Sequence, residues 1–145
     1  YPSAEILAVL KAAQPPLKVE LRPAGEPVSA SAVLTSSGTM SMRCALAGIP
    51  GVVMYRAHPI EYVLGRLIIK VPYLGIANLL LKEPMYPEYI QGAATPKVLA
   101  NELRACLHDP VRREETAVRA EKLRAILHQP AKGNASDWLL RQLAS

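Results

Sequence analysis

The sequence predicts an α/β fold: a Rossmann-like parallel sheet half-domain followed by C-terminal helices. Three observations carry that prediction. Ser31-Ala32-Val33-Leu34-Thr35 and Gly51-Val52-Val53-Met54-Tyr55 are short uncharged runs, suited to strands buried on both faces. A helical stretch from Met40 to Ala47 lies between them, which makes a right-handed βαβ unit with parallel strands. From about residue 95 onward the pattern is helical, and 145 residues are one domain by length, spanning 1–145.

The elements follow in chain order. Ser3 to Ala13 reads as a helix, with Ile6, Leu7 and Leu10 at helical spacing and Ser3 as its N-cap, stopped by Gln14-Pro15-Pro16. Leu17 to Arg22 alternates apolar and charged residues and reads as an exposed edge strand. Pro23 to Ser29 is a loop. The turn Ser36-Ser37-Gly38-Thr39 separates the first buried strand from the helix, and its Ser and Thr can cap that helix. Gly48 stops the helix at C′, with Pro50 two residues on. Pro59 stands at N1 of an amphipathic helix whose apolar set is Ile60, Val63, Leu64, Leu67 and Ile68. Val71 to Ile76 is a short extended piece broken by Pro72, and Pro87 to Ile90 reads as the start of a short helix. Thr95-Pro96 opens a helix with Val98, Leu99, Leu103, Cys106 and Leu107 inward. Asp109-Pro110 opens another, with Val118, Leu123, Ile126 and Leu127 as its apolar set. Lys132-Gly133-Asn134 breaks the chain before a last helix marked by Trp138, Leu139 and Leu143.

Composition excludes several classes of function. Half the residues are hydrophobic and a fifth are charged, which rules out a disordered chain. No run of 18 apolar residues is free of charge and Pro, so no segment reads as a membrane span. Cys44 and Cys106 make no disulfide framework, and three scattered histidines give no metal-ligand spacing. The net charge of +5 comes from 17 basic and 12 acidic residues. In the C-terminal third the signs are mixed, as in Arg112-Arg113-Glu114-Glu115, which describes a solvated helix surface and no nucleic-acid stripe. Between Pro27 and Tyr55 the only charge is Arg43, and a local basic excess follows from Arg56 to Lys70. Such an excess suits an anionic partner, a phosphate or a membrane face.

Ligands of open parallel sheets bind at the carboxyl ends of strands. Ser36-Ser37-Gly38-Thr39 follows the first strand, Arg56 and His58 follow the second, and Asn78, with Glu88 and Gln91 beyond it, is assigned to a third. These residues are expected to converge on one edge. Ser37-Gly38-Thr39 opens a helix whose free N–H groups suit a phosphate; it also fits a plain helix cap. Arg56 suits a diphosphate, or is a surface arginine. Asn78, among apolar residues, either satisfies a loop backbone or faces a polar ligand. Glu88 and Gln91 fall one helical turn apart, on a ligand-facing or a solvated face. No nucleophile has supporting residues within the chain.

These pieces also run in a recognisable series. Ser37-Gly38-Thr39, Ala45-Leu46, Gly48, Pro50, Val52-Val53, Tyr55-Arg56, Pro59, Tyr62, Arg66-Leu67, Lys70-Val71-Pro72-Tyr73, Gly75, Asn78-Leu79-Leu80, Pro87-Glu88 and Gln91 have the order and spacing of the lipid-A-disaccharide synthase family. The resemblance is dense from Ser36 to Gln91. It implies the C-terminal, donor-binding half of a GT-B glycosyltransferase that is cytoplasmic and peripheral to the inner membrane. Such an enzyme moves a diacylated glucosamine from a UDP donor to an acylated glucosamine-1-phosphate, with no metal and no cofactor besides the UDP-sugar itself. By position, Ser37, Gly38, Thr39, Arg56, Asn78, Glu88 and Gln91 carry over as nucleotide-sugar-binding residues. The catalytic residues belong to an N-terminal half, so this chain by itself is expected to bind without turning over.

Two positions depart from the family pattern. Arg43 stands four residues after Thr39, where the family has a Glu that accepts hydrogen bonds from the ribose hydroxyls, and a cation cannot accept them. Leu81-Lys82-Glu83-Pro84 replaces Ala-Gly-Arg-Glu after Asn78-Leu79-Leu80. A divergent non-catalytic relative, kept for assembly or regulation, is the second reading. The helix from Pro59 to Lys70 either packs on the sheet or lies on anionic lipid. A half-enzyme exposes the surface that meets its other half, which predicts a homodimer.

Overall fold

The computed structural model describes residues 4–13, 16–20, 27, 29–36, 38–56, 72–130, 133 and 136. The predicted helix at Pro59–Lys70 and the one around Trp138 lie outside the described residues, as do Ser3, Ser37 and His58. The elements are α1 (Ala4–Ala13), β1 (Val33–Thr35), α2 (Thr39–Leu46), β2 (Gly51–Tyr55), α3 (Ile76–Leu81), β3 (Glu88–Ile90), a 3-10 turn (Gln91–Ala93), α4 (Pro96–His108) and α5 (Pro110–Leu127). The strands form one sheet in the order β1-β2-β3, and both pairings are parallel. The α/β class read from the sequence is the observed one, and β1, α2 and β2 fall where it puts them.

Three assignments are corrected. Pro87–Ile90 does not start a helix; Glu88–Ile90 is the third strand of the sheet. The third strand is therefore not the Val71–Ile76 piece, of which residues 72–75 are irregular and Ile76 already belongs to α3. Residues 18–20 are exposed and irregular, so the alternating stretch at Leu17–Arg22 forms no strand there. Alternation over six residues is a local signal, and a strand exists only where a partner pairs with it. Glu88–Ile90 has that partner in β2, with Met54 opposite Tyr89.

The two faces of β2 are buried by different helices. Val53 packs with Cys44 and Ala45 of α2, Ala77 of α3, and Ala120 and Leu123 of α5. Val52 packs with Ala94 and Leu99, and Met54, Tyr89 and Leu103 close in around it on the α4 side. Successive strand residues point to opposite faces, so a strand covered on both sides must be apolar throughout. The helix starts of α4 and α5 also agree with the sequence. The Thr95 hydroxyl accepts from Val98 N at 3.3 Å, and the Asp109 carboxylate accepts from Val111 N at 2.9 Å, each with Pro at the first helical position.

Their inward faces are narrower than periodicity implies. Leu107, Val118 and Leu127 are exposed, whereas Thr116, Ala120 and Leu123 are buried. Gly48 explains the small residue: a Cβ there would stand 3.8 Å from that of Ala120, so the α2 exit approaches α5 closely. Gly48 takes a φ of 69°, which only glycine adopts without strain.

Helix α5 crosses the amino edge of the sheet and ties it together. Arg124 donates to the carbonyl of Leu46, the last residue of α2. Arg112 donates to Gly51 O at 3.3 Å, where β2 begins, and pairs with Glu102 of α4 at 3.4 Å. Arg119 and Lys122 hold Glu83, just past α3. Cations at the carbonyl end of a helix complement its dipole, so Arg124 both caps and anchors α2.

Candidate functional site at the carboxyl edge

The register defines a row across the sheet: Thr35 pairs with Val53, and Val53 with Glu88. Gly38, Arg56 and Gln91 each lie three positions beyond a member of that row. All three strand exits therefore open on one rim, and the residues beyond them come from segments far apart in sequence.

Gly38 is the N-cap of α2, with a φ of 130°, and supplies no side-chain cap. Thr39 does not take the expected capping role, and Ser37 lies outside the described residues. Thr39 is the first residue of the helix, and the nearby hydroxyl that does bond, Ser41 Oγ, donates to Gly38 O at 2.7 Å. Nothing lies within 4 Å of where a Gly38 Cβ would stand. No acidic residue occupies the first turn of α2, and Thr39 there is exposed.

Arg56 is exposed at the exit of β2, and its guanidinium donates to Ala94 O at 2.9 Å. That bond leans the cation toward the exit of β3, beside Gln91. Gln91 is half-buried and holds a φ of 52°, a left-handed conformation that costs a non-glycine residue about 1 kcal/mol. Gln91 opens the 3-10 turn and does not share a helix face with Glu88, which belongs to the strand.

Asn78 and Glu88 sit behind the rim. Asn78 is 1% exposed on α3. Its Oδ1 accepts from Met85 N at 2.8 Å and Tyr86 N at 3.0 Å, while its Nδ2 donates to Tyr86 O at 2.7 Å and Glu88 Oε1 at 2.8 Å. These four bonds fill the capacity of an amide. The Glu88 carboxylate also accepts from Gly75 N at 2.9 Å and Leu74 N at 2.7 Å. Together the two side chains join the entrance of α3, the turn after it and the start of β3. Of the two roles open for Asn78, loop satisfaction is the one observed. Sequence reasoning missed the pairing with Glu88; an Asn within an apolar helix and a Glu just after Pro87 were its only traces.

The remaining ionisable groups near the core are inert. Burial raises the Cys44 and Cys106 thiols above the usual range, so neither is a thiolate near neutral pH. Tyr86 is fully buried, burial drives its phenol far above the usual range, and it donates to Ile49 O. Among the described residues no cluster of three His, Cys, Asp or Glu could hold a metal ion, and no helix is long and apolar enough to cross a membrane.

Comparison with known proteins adds a family to this geometry. The chain is 38% identical over 87 residues to the lipid-A-disaccharide synthase of Rhodospirillum centenum, covering 60% of this chain and 22% of that protein. It is 40% identical over 85 residues to the synthase of Geobacter metallireducens, covering 59% and 22%. The synthase of Aquifex aeolicus is 48% identical over 63 residues, covering 43% and 18%. The chain thus matches about a fifth of the length of these relatives. No solved structure matches it. The sequence profile described as lipid-A-disaccharide synthetase matches residues 22–142, most of the sequence, and the chain belongs to that family.

Proposed function

We propose that this chain is the nucleotide-sugar-binding part of a glycosyltransferase of lipid A biosynthesis. The donor is a UDP-linked acylated glucosamine and the acceptor an acylated glucosamine-1-phosphate. The observation that supports the reading is the common rim of Gly38, Arg56 and Gln91, with the N-terminus of α2 beginning at Gly38. The first N–H groups of α2 and the Thr39 hydroxyl would donate to the diphosphate, and Arg56 would balance its charge. In the transfer, an acceptor hydroxyl forms a bond to the sugar C1 while the C1–O bond to the diphosphate breaks, and UDP leaves with the electron pair. Donors already aimed at those oxygens stabilise the charge that develops there. Deprotonation of the acceptor falls to a residue outside this chain. The work would be done at the cytoplasmic face of the inner membrane.

Arg43 favours a second reading. It lies one turn after Thr39 on α2, where it cannot accept hydrogen bonds from a ribose. A binding or regulatory relative without turnover would tolerate it. Calorimetric titration of the full-length protein with UDP tests the first reading. Binding that Arg56→Ala weakens about tenfold or more supports it, and no heat at millimolar UDP overturns it. Measured sugar transfer would remove the second reading, and a gain in UDP affinity on Arg43→Glu would show that the rest of the site is intact.

A further inference from the structure

Residues Gln91–Ala94 join β3 to α4, and Gln91 there holds a φ of 52° while Gly92 and Ala93 are exposed. A non-glycine residue keeps a left-handed conformation only where its surroundings hold it there. Two hydrogen bonds close the turn: Ala94 N donates to Gln91 O at 3.1 Å, and Thr95 N donates to Ala93 O at 2.9 Å. Both run through the peptide units on either side of Ala94, so whatever fixes Ala94 also fixes Gln91.

Ala94 is tied to β2 and its exit in two ways. Its side chain is buried and packs with Val52 of β2 and Leu99 of α4. Its carbonyl precedes Thr95, the N-cap of α4, and the first helical bond goes to Thr95 O, from Leu99 N at 3.0 Å. Ala94 O instead accepts from the Arg56 guanidinium at 2.9 Å, a partner 38 positions away in sequence. Apolar packing restrains where Ala94 lies, but a hydrogen bond to its carbonyl also orients the peptide plane.

We propose that Arg56 is a positioning residue: through Ala94 O it holds the turn from Gln91 to Ala94 in the shape that keeps Gln91 left-handed on the rim. The consequence for a ligand rests on the nucleotide reading above. A guanidinium carries five N–H donors in a planar fork, so one can stay on Ala94 O while others face an anion. An ammonium has the same charge but no fork, and it cannot hold both partners in that geometry. The charge of Arg56 and its hold on the turn are therefore separable by substitution.

The test uses the full-length protein and Arg56→Met, which keeps the stem and removes the donors. Without ligand, the amides of Ala94 and Thr95 should exchange hydrogen about tenfold faster in the variant, while those of Val53 and Leu123 keep wild-type rates. Equal acceleration at Val53 and Leu123 would mean that the variant unfolds, and Arg56→Lys then takes its place, with an expected acceleration of about threefold at Ala94 and Thr95. A second readout is the dissociation constant of UDP. Gln91→Ala should weaken UDP binding in wild type by a factor at least about three times the one it has beside Arg56→Met, because Gln91 is no longer held there. Unchanged exchange at Ala94 and Thr95 in a folded variant overturns the proposal. So does a Gln91→Ala factor that is the same in both backgrounds, which would leave Arg56 as a plain cation. Failure of wild type to bind UDP at all is a distinct result: it removes the nucleotide reading, and the positioning of Gln91 for a ligand with it, whatever the exchange rates.

Discussion

Replacing Asn78 with Ala should lower stability far more than it lowers ligand affinity in whatever protein stays folded. The substitution removes four hydrogen bonds and leaves Met85 N, Tyr86 N and Tyr86 O without their partner in a buried site. An unpaired buried polar group costs about 1–3 kcal/mol. Water entering the space left by the amide recovers part of that, so the net loss should be about 3–5 kcal/mol. Against a typical total of about 5–15 kcal/mol this is severe, equivalent to roughly 10–15 °C in Tm for a domain of this length. Urea denaturation measures it, with an unchanged m-value showing that the native state keeps its compactness. Asn78→Asp sharpens the assay. It keeps Oδ1 for the two backbone donors but sets a second carboxylate 2.8 Å from Glu88 Oε1. Like charges at that distance raise the folded pKa of the pair. A carboxyl whose folded pKa is raised binds its proton more tightly in the native state, so the variant should recover stability as pH falls from 7 toward 4.5. The reasoning fails if Asn78→Ala abolishes UDP binding while costing less than about 1 kcal/mol of stability, because Asn78 would then serve the ligand and not the loop.

Three further outcomes follow from particular contacts. A Cβ at Gly51 would fall 2.4 Å from Val33 Cγ1 and 2.9 Å from Val33 O, so Gly51→Ala must push β1 from β2 and should cost about 2 kcal/mol or more by thermal unfolding. At Gly38 there is open space and a φ of 130°, so Gly38→Ala should cost only backbone strain, about 1–2 kcal/mol. The Lys122 hydrogen bond, aided by Arg119, holds the Glu83 carboxyl below its usual range. A depressed carboxylate stabilises the fold above its unfolded pKa and loses that contribution as pH falls through its folded pKa. Glu83 is about a third exposed, so Glu83→Gln should cost no more than about 0.5 kcal/mol at pH 7, and urea midpoints of variant and wild type should converge by pH 3.

What the sequence disclosed depended on how local each signal was. The βαβ unit from Val33 to Tyr55 was legible because uncharged runs, Gly48 and Pro50 all act within a few residues. The openings of α4 and α5 were legible for the same reason, since a capping side chain followed by Pro is a contact between neighbours. Glu88–Ile90 was not: three residues after a proline carry no period, and only the pairing of Val53 with Glu88 makes them a strand. Val118 and Leu127 sat at helical spacing yet face solvent, because close approach at Gly48 and Ala120 sets which stripe of α5 turns inward. The same limit applied to the site. Gly38 and Arg56 follow their strands directly and could be assigned to one rim, whereas the bonding of Asn78 to Glu88 spans ten positions and a turn.

The division of labour between the two edges of the sheet explains why these residues separate into rim and support. At the amino edge, carbonyl-bearing ends and loops and the Glu83 carboxylate meet the guanidinium and ammonium groups of α5, long flexible cations on acceptors. At the carboxyl edge, beside the bond of Arg56 to Ala94 O, stand the N–H donors at the start of α2, which no cation can satisfy. Only an anion or an acceptor side chain can. At α3 the protein supplies its own: the Glu88 carboxylate takes Leu74 N and Gly75 N and thereby closes that entrance. At α2 no equivalent acid stands in the first turn. Two neighbouring helices thus present the same kind of donor end to the same edge, one met by the Glu88 carboxylate and one with no acidic residue in its first turn. On the nucleotide reading proposed above, a carboxylate introduced at Thr39, as Thr39→Asp, would compete with a diphosphate for the first N–H groups of α2 and so weaken UDP binding in a calorimetric titration.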